Sequence, residues 1–560
     1  MQGWHVENLE TIGGNPYGVL ISGDLAGTLR HFRLTNLDVH DVGGVAQGKE
    51  SGLVIVTPKN RLTLFDDVVI DGVTAYGTQQ WSGILIGGDD YESLGYAATG
   101  AHTNITVRNS AVYDTYGDGI VLYHVTDGML EYNVVHDVGN IPTTNIGTPN
   151  AIWTWWCTRC TVQFNEGYNV HSPGIDGGVF DIDYWNTDNV VQYNYGHDAD
   201  GYCIAVFGAG GRATTNSIVR YNVCANNGRQ ADGAKQGDFY LATWNGGSID
   251  GLQVYNNTFY WNPVVNEPAV VNRGTALSGS AARFFKNNLV VTTVDKLVWS
   301  ETNLALDNNL YWYTAGLNPW WGYGNGWWDT LAGYSAGSGQ DARGVYANPL
   351  LNDPTSHGIG KPTTQFTLQS ASPALNKGAD VGGMGSQDFY GNAIPNGAYD
   401  IGAHESVGTV AVNLLNNPGF ESDLTGWTQW WDSGVNASSV AYISSQGAHT
   451  GAKRLTHWAN PAAFKQYTAQ TSSNLIAGTY TLKVWVQTNG GLTKISFGGK
   501  NCNGTGTQEA LIPTTPNLAW TDYSTSITVT GSTCEVNVWS ESTGGAERYT
   551  NFDNLGFTRN

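Results

Sequence analysis

Two aspartates, Asp181 and Asp183, sit two residues apart in the run Gly178-Val179-Phe180-Asp181-Ile182-Asp183. Alternate side chains of an extended strand share a face, so both carboxyls point one way and Phe180, Ile182 and Tyr184 the other. Turning two unpaired acids into a core is costly, which predicts that the aspartates face outward and Phe180 and Ile182 inward. Two residues along a strand span about 7 Å. Inverting glycosidic hydrolysis uses a carboxyl pair roughly 6.5–9.5 Å apart, one acid protonating the leaving oxygen and the other activating water, whereas retaining chemistry needs about 5–5.5 Å. The spacing leans toward inversion and leaves open which aspartate is the acid. A solvated strand face or a calcium site would present the same two residues.

Aromatic residues surround this pair in the sequence. In-register stacking of adjacent strands predicts Thr154 and Trp156 beside Asp181 and Asp183, with Ala205 and Phe207 on the other side. A slip of one residue makes Trp153 and Trp155 the wall instead. Flat rings grip the apolar faces of sugars, so Trp153, Trp155, Trp156 and Phe207, together with His197, are the candidate substrate-binding residues. Asp200 and Asp118 each precede a glycine at the start of a second strand, and Glu166 follows a repeated Asn. These three are further candidates for acid–base catalysis. His197-Asp198 repeats His40-Asp41 and His136-Asp137, so a turn role comes before a chemical one. The rival chemistry is β-elimination on a uronate polymer, which needs a clustered basic residue, and Arg212, Arg220, Arg229 and Lys235 are scattered. A non-catalytic carbohydrate-binding surface protein is the third reading.

The elements that must position these residues declare themselves as a repeat. Apolar-x-aromatic-Asn recurs as Leu130-Glu131-Tyr132-Asn133, Val162-Gln163-Phe164-Asn165, Val191-Gln192-Tyr193-Asn194 and Val219-Arg220-Tyr221-Asn222. Looser copies end at Asn109, Asn256, Asn287 and Asn308, and successive copies lie 21 to 34 residues apart. Uneven spacing of about one coil length predicts an all-β solenoid, a right-handed parallel β-helix with loops of variable size. Asn suits the sharp turns because it tolerates left-handed backbone, and stacked coils would align these residues in a column. Repetition fades after Tyr313, and the Trp- and Gly-dense stretch Asn318 to Trp328 reads as a loop excursion.

The bulk numbers agree. The chain has 560 residues, 73 Gly and only 13% charged residues, a profile for short strands and tight turns rather than helices. A net charge of −21 without a basic run disfavours nucleic acid and weighs against a strongly anionic polymer. No apolar run is long enough to span a bilayer. Cys157/Cys160, Cys203/Cys224 and Cys502/Cys534 form three local pairs, the simplest disulfide assignment for an exported protein. The expectation is therefore a secreted monomer acting on a polysaccharide, with no membrane or nucleic-acid partner and no cofactor for catalysis.

Ser372-Pro373-Ala374-Leu375 and Tyr399-Asp400-Ile401-Gly402-Ala403-His404-Glu405 resemble the closing stretch of many bacterial right-handed β-helix proteins, which implies a final coil and cap. The stretch Asn150 to Asp200 resembles bacterial β-helix proteins of polysaccharide breakdown, and Asn186-Thr187-Asp188 matches polygalacturonases only by chance. After a linker at 406–412, Asn413 to Glu421 with Gly426-Trp427, and Phe552-Asp553-Asn554-Leu555 at the far end, resemble carbohydrate-binding modules of families 4 and 9. That resemblance implies a β-sandwich (jelly-roll) over 413–560 after a β-helix catalytic domain over 1–405. It also implies a structural Ca²⁺ held by Glu421 and Asp553. Trp430, Trp431, Trp458, Trp485 and Trp539 are the sugar-platform candidates there, with at least two expected in the core.

Overall fold

The computed structural model describes the chain apart from residues 1, 47, 61, 89–99, 144–146, 274–282, 302, 396–397, 407–412, 433–439, 505 and 560. The protein is all-β, and the helices among the described residues are short, Ala231–Ala234 and Leu331–Ser338. None is long and apolar enough to cross a membrane. The chain divides into two compact units, Met1–Val407 and Gly408–Asn560.

In the first unit most strands pair in parallel with a strand one repeat later, giving three long ladders. The first runs from Gln2–Ile12 through Gly27–Val42 to Ala305–Asp307. The second leaves the latter half of Gly27–Val42 for Thr74–Thr78 and ends at Val345–Tyr346. The third runs from Tyr17–Gly23 through Gly178–Ile182 to Trp320–Tyr323. The apolar member of the repeat explains the stacking. Leu130, Val162, Val191, Val219, Val254, Phe285 and Leu306 pair in successive strands, and all are buried. Burial of each such side chain contributes about 1.5–3 kcal/mol.

Beside them runs a hydrogen-bonded column of Asn amides. Asn133 donates to Asn165 at 3.0 Å, Asn165 to Asn194 at 3.0 Å and Asn194 to Asn222 at 3.0 Å. The column continues through Asn257, Asn288 and Asn309 to Asp341. Three expected members are thus displaced by one residue: Asn257, Asn288 and Asn309 occupy the column, not Asn256, Asn287 and Asn308. Likewise Ser110, not Asn109, receives the Asn133 amide oxygen. The physical reason is that the left-handed residue precedes the ladder residue. Asn109, Asn256, Asn287 and Asn308 have φ between 51° and 56°. In the best-matched coils that strained place belongs to Tyr132, Phe164, Tyr193 and Tyr221, whose φ is 50° to 58°. Ring stacking at 5.0 and 5.1 Å along Tyr132, Phe164 and Tyr193 offsets the strain.

Two further expectations change. Asn318 to Trp328 is not a loop: Trp320–Tyr323 extends the third ladder and turns back antiparallel as Gly326–Trp328. Nor does the stretch around Ile401 close the end of the stack. Gly402 N–H donates to the Asn287 carbonyl, Ala403 N–H to Thr258 Oγ1, and the Asn256 amide to the Asp400 carbonyl. The segment lies along the outside of several coils, burying Ala374, Ile401 and Ala403 against Leu289 and Leu310.

The second unit has two five-stranded antiparallel sheets sharing one apolar core. One contains Thr428–Trp431, Phe464–Ser473, Thr533–Ser542, Lys494–Lys500 and Thr507–Leu511; the other contains Gly478–Thr488 and Arg548–Arg559. Cys203–Cys224 and Cys502–Cys534 are disulfides, whereas Cys157 and Cys160 are free buried thiols. The third expected bridge is therefore absent. Both thiols pack in the apolar core of the stack, where a small hydrophobic side chain is what the position needs.

Candidate active site

The third ladder builds the site. Ile152, Phe180, Ile204 and Phe239 pair in successive strands and enter the core, as do Ile182, Val206 and Leu241. The alternate row therefore faces outward: Trp153, Asp181, Ala205 and Tyr240 stand side by side. Trp153 rather than Thr154 is the partner of Asp181, so the one-residue slip is the register the chain adopts, while Ala205 lies where expected. Ala205 is small and leaves room between Asp181 and Tyr240. A cavity of about 460 Å³ opens there, lined by Asp176, Asp181, Asp183 and the rings of Trp153, Phe207, Tyr240, Tyr184 and Trp244. A larger cavity of about 520 Å³, among Trp4, Leu20 and Phe32 near the first strands, carries no titratable side chain.

The aspartates face outward, yet Asp181 is not solvated and Asp183 is half-buried. Asp181 is 3% exposed, and its Oδ1 is buried without a hydrogen-bond partner among the described residues. Asp183 accepts the Tyr184 N–H at 2.8 Å. Asp176 is held at both ends by Gln236, whose side-chain amide donates to Asp176 Oδ1 at 3.0 Å and accepts the Asp176 N–H at 2.9 Å. Burial pushes the Asp183 carboxyl up to about 7. It lifts Asp181 well above the carboxylate range, with the neighbouring Asp183 and Asp176 charges adding to the effect, and raises Asp176 as well. Three acids this close oppose one another's ionisation, and each is shifted toward its protonated form.

The structure brings together Asp181, Asp183, Trp153 and Phe207 among the expected residues, and adds Asp176, which the sequence reading passed over. Asp176 stands in a left-handed turn with Gly177, φ 62° and 71°, and an Asp before Gly-Gly was the available signal. Gly178 is required next: a Cβ there would come within 1.9 Å of the Tyr202 ring. The other candidates lie outside the lining. Asp118 is fully buried and engaged by the Trp81 indole N–H at 2.5 Å and the Asn150 N–H at 3.0 Å. Asp200 caps a turn, accepting the Ser172 N–H at 3.0 Å. Glu166 belongs to the second ladder, where its carboxylate meets His197 Nε2 at 3.1 Å and the Gly360 N–H at 2.6 Å.

His197 stacks in a row with Tyr168, His136, Tyr113, Tyr76 and His40 at 4.8–4.9 Å, the spacing of paired strands. It is a stacking element of that ladder, not a lining residue of the cleft. Trp155 packs against Tyr123, Tyr184 and Trp185, and Trp156 lies face to face with His124 under the Arg212 guanidinium. Arg212 also covers Trp185, Arg220 bonds Gln192, Arg229 bonds Asn226, and exposed Lys235 pairs with Asp232. None of these bases reaches the cleft.

In the second unit a groove of about 440 Å³ is lined by Trp430, Tyr467 and Trp539, with Glu535 and Lys500. Trp430 is 49% exposed and stacks on Trp539 at 5.7 Å. Trp458 donates instead to Glu547, and Trp485 stacks under His449 at 3.8 Å. None of the five candidate tryptophans is in the core, whose tryptophan is Trp427. Glu421 and Asp553 turn to one loop: Glu421 accepts the Ala452 and Lys453 N–H groups at 3.0 Å, and Asp553 accepts those of His449 and Thr450 at 2.7 and 3.3 Å. Both carboxylates are thus taken up by backbone N–H donors of that loop.

No family model matches the chain. A lacto-N-biosidase of Bifidobacterium longum subsp. longum is 26% identical over 432 residues, covering 68% of this chain and 25% of that protein. The chain thus spans about a quarter of the length of this curated relative. Among solved structures, GH136 lacto-N-biosidase from Eubacterium ramulus aligns with a TM-score of 0.36 and 20% identity, over 49% of this chain and 48% of that one. TmCBM61 in complex with beta-1,4-galactotriose aligns with a TM-score of 0.24 and 23% identity, over 26% of this chain and 99% of that one.

Proposed function

We propose that the protein is a secreted glycoside hydrolase whose first unit is a right-handed parallel β-helix bearing the active site and whose second unit is a carbohydrate-binding module. The observation that carries the reading is the cleft itself, where buried Asp181 and half-buried Asp176 and Asp183 meet five aromatic rings beside the third ladder. Rings take the apolar faces of a sugar, and a protonated carboxyl beside an ionised one supplies the acid and the base that glycosidic cleavage needs. Similarity to a lacto-N-biosidase supports the same class of reaction. The two disulfides support an oxidising, extracellular setting.

In this reading Asp181, lifted well above the carboxylate range, is the acid best placed to hold a proton at neutral pH, and Asp176 and Asp183, which titrates near 7, share the base role. Trp153, Phe207 and Trp244 form the walls that orient the sugar ring. The Trp430–Trp539 groove is the binding face of the second unit. Glu421 and Asp553 hold a Ca²⁺ that ties the two ends of that unit to the loop at 449–453, as a structural ion outside the chemistry. Incubation with a panel of β-linked oligosaccharides and polysaccharides tests the reading. New reducing ends without an unsaturated product are expected. An ultraviolet-absorbing unsaturated uronate would make the enzyme a lyase, and no cleavage of any substrate, with binding retained, would make it a carbohydrate-binding surface protein.

A further inference from the structure

Lys49 is the one basic side chain lining the cleft among the described residues. It reaches the site from a turn before the strand Gly52–Pro58, far upstream of the aspartates in sequence. Its ammonium lies 4.3 Å from the centre of the Trp153 ring and 5.3 Å from that of Trp81, and its side chain is 18% exposed. Asp118 holds it at 3.3 Å, and Asp118 is itself fixed by the Trp81 indole and the Asn150 amide. The approach is built. Gly147 packs closely against it, since a Cβ there would stand 3.1 Å from both Lys49 Cε and the Trp81 ring.

The charges facing this ammonium are Asp118 from the turn before the strand Ile120–Tyr123, Asp176 from the turn before Gly178, and Asp181 and Asp183 within and just after the strand Gly178–Ile182. Tyr202 and Tyr240 stay neutral, since burial holds both phenols above their usual range. Without a cation, desolvation and mutual repulsion would favour the protonated form of Asp176, Asp181 and Asp183 together.

We propose that Lys49 is a positioning residue of the active site: its ammonium keeps one of the clustered carboxyls ionised, so that the cleft holds a base beside an acid. The inference rests on the hydrolase reading of the cleft. It assigns Asp118 the task of aiming Lys49, which accounts for a buried aspartate outside the lining of the cleft.

The test uses the full chain with ¹³C-labelled aspartate carboxyls, assigned through the Asp176→Asn, Asp181→Asn and Asp183→Asn variants. In Lys49→Met the cleft carboxyls are expected to titrate about one pH unit higher, the effect of losing an opposite charge at close range. Lys49→Arg should restore them. Lys49→Gln, which keeps a hydrogen bond to Asp118, carries the test if Lys49→Met does not fold. Where a substrate is cleaved, the basic-form limb of the pH–rate profile should move by the same amount and return in Lys49→Arg. Unmoved carboxyl titrations in Lys49→Met or Lys49→Gln, or equal displacement in Lys49→Arg, would overturn the proposal while leaving the hydrolase reading standing. A clear titration shift in a protein that cleaves nothing would do the reverse, supporting the role of Lys49 and removing the hydrolase.

Discussion

Trp153 stands directly beside Asp181 in the parallel ladder, indole next to carboxyl, with Ala205 on the other side of the acid. A large ring and a methyl group flanking one aspartate make a recess on an otherwise continuous strand face, and the acid at its floor is shielded from water.

Replacing Asp176, Asp181 or Asp183 by Asn, one at a time, is expected to lower turnover by about 10²–10⁴-fold for the members of the acid–base pair. Binding of the same substrate, measured by calorimetry, should survive. Normal rates in all three variants would remove the cleft from the chemistry.

Asp183→Asn should also change stability with a definite pH dependence. The folded Asp183 titrates near 7, above the unfolded value near 3.8. The sign follows: the stability of the wild type is full below about pH 4 and declines as pH rises through about 7, because the folded state must give up a proton it holds tightly. The melting-temperature gain of Asp183→Asn over wild type should therefore be absent near pH 4 and largest above about pH 7. A gain that is flat across this range would show that the carboxyl is not shielded.

Cysteine chemistry separates the two kinds of pair. Mass spectrometry after alkylation without reductant should show no label on the native protein and two labels after denaturation, on Cys157 and Cys160, because both thiols are buried. A third disulfide would appear as no label in either state.

The second unit carries two separable expectations. Trp430→Ala should abolish polysaccharide retention in affinity electrophoresis, and Trp458→Ala should leave it nearly intact, since only Trp430 lines the groove. Chelation should lower the melting temperature of the unit, and Glu421→Gln should erase that response, by mass action of an ion bound to the folded state alone. Indifference of the wild type to chelator would remove the Ca²⁺.

Removing one rung of the amide column tests what holds the stack. Asn194→Ala strands the buried N–H of Asn165 and the Val162 carbonyl, and the expected loss is roughly 1–3 kcal/mol per unsatisfied group. A urea midpoint equal to that of wild type would mean water replaces the amide.

Local pattern was enough to read much of this protein. Alternation in Gly178 to Asp183 told inside from outside because a strand has no other way to arrange Phe180, Asp181 and Ile182. The Asn repeat told of stacked strands because buried turns need an amide to satisfy their backbone. The tertiary structure alone decided the rest. Register is a relation between strands, so Trp153 or Thr154 beside Asp181 could not be chosen within either strand. The column settled on Asn257 rather than Asn256 because the preceding residue takes the left-handed turn. Burial of Asp181 depends on rings from three other segments, and Lys49 enters the cleft from a distant turn. Such neighbours are fixed by packing across coils, and packing leaves no mark in the local sequence.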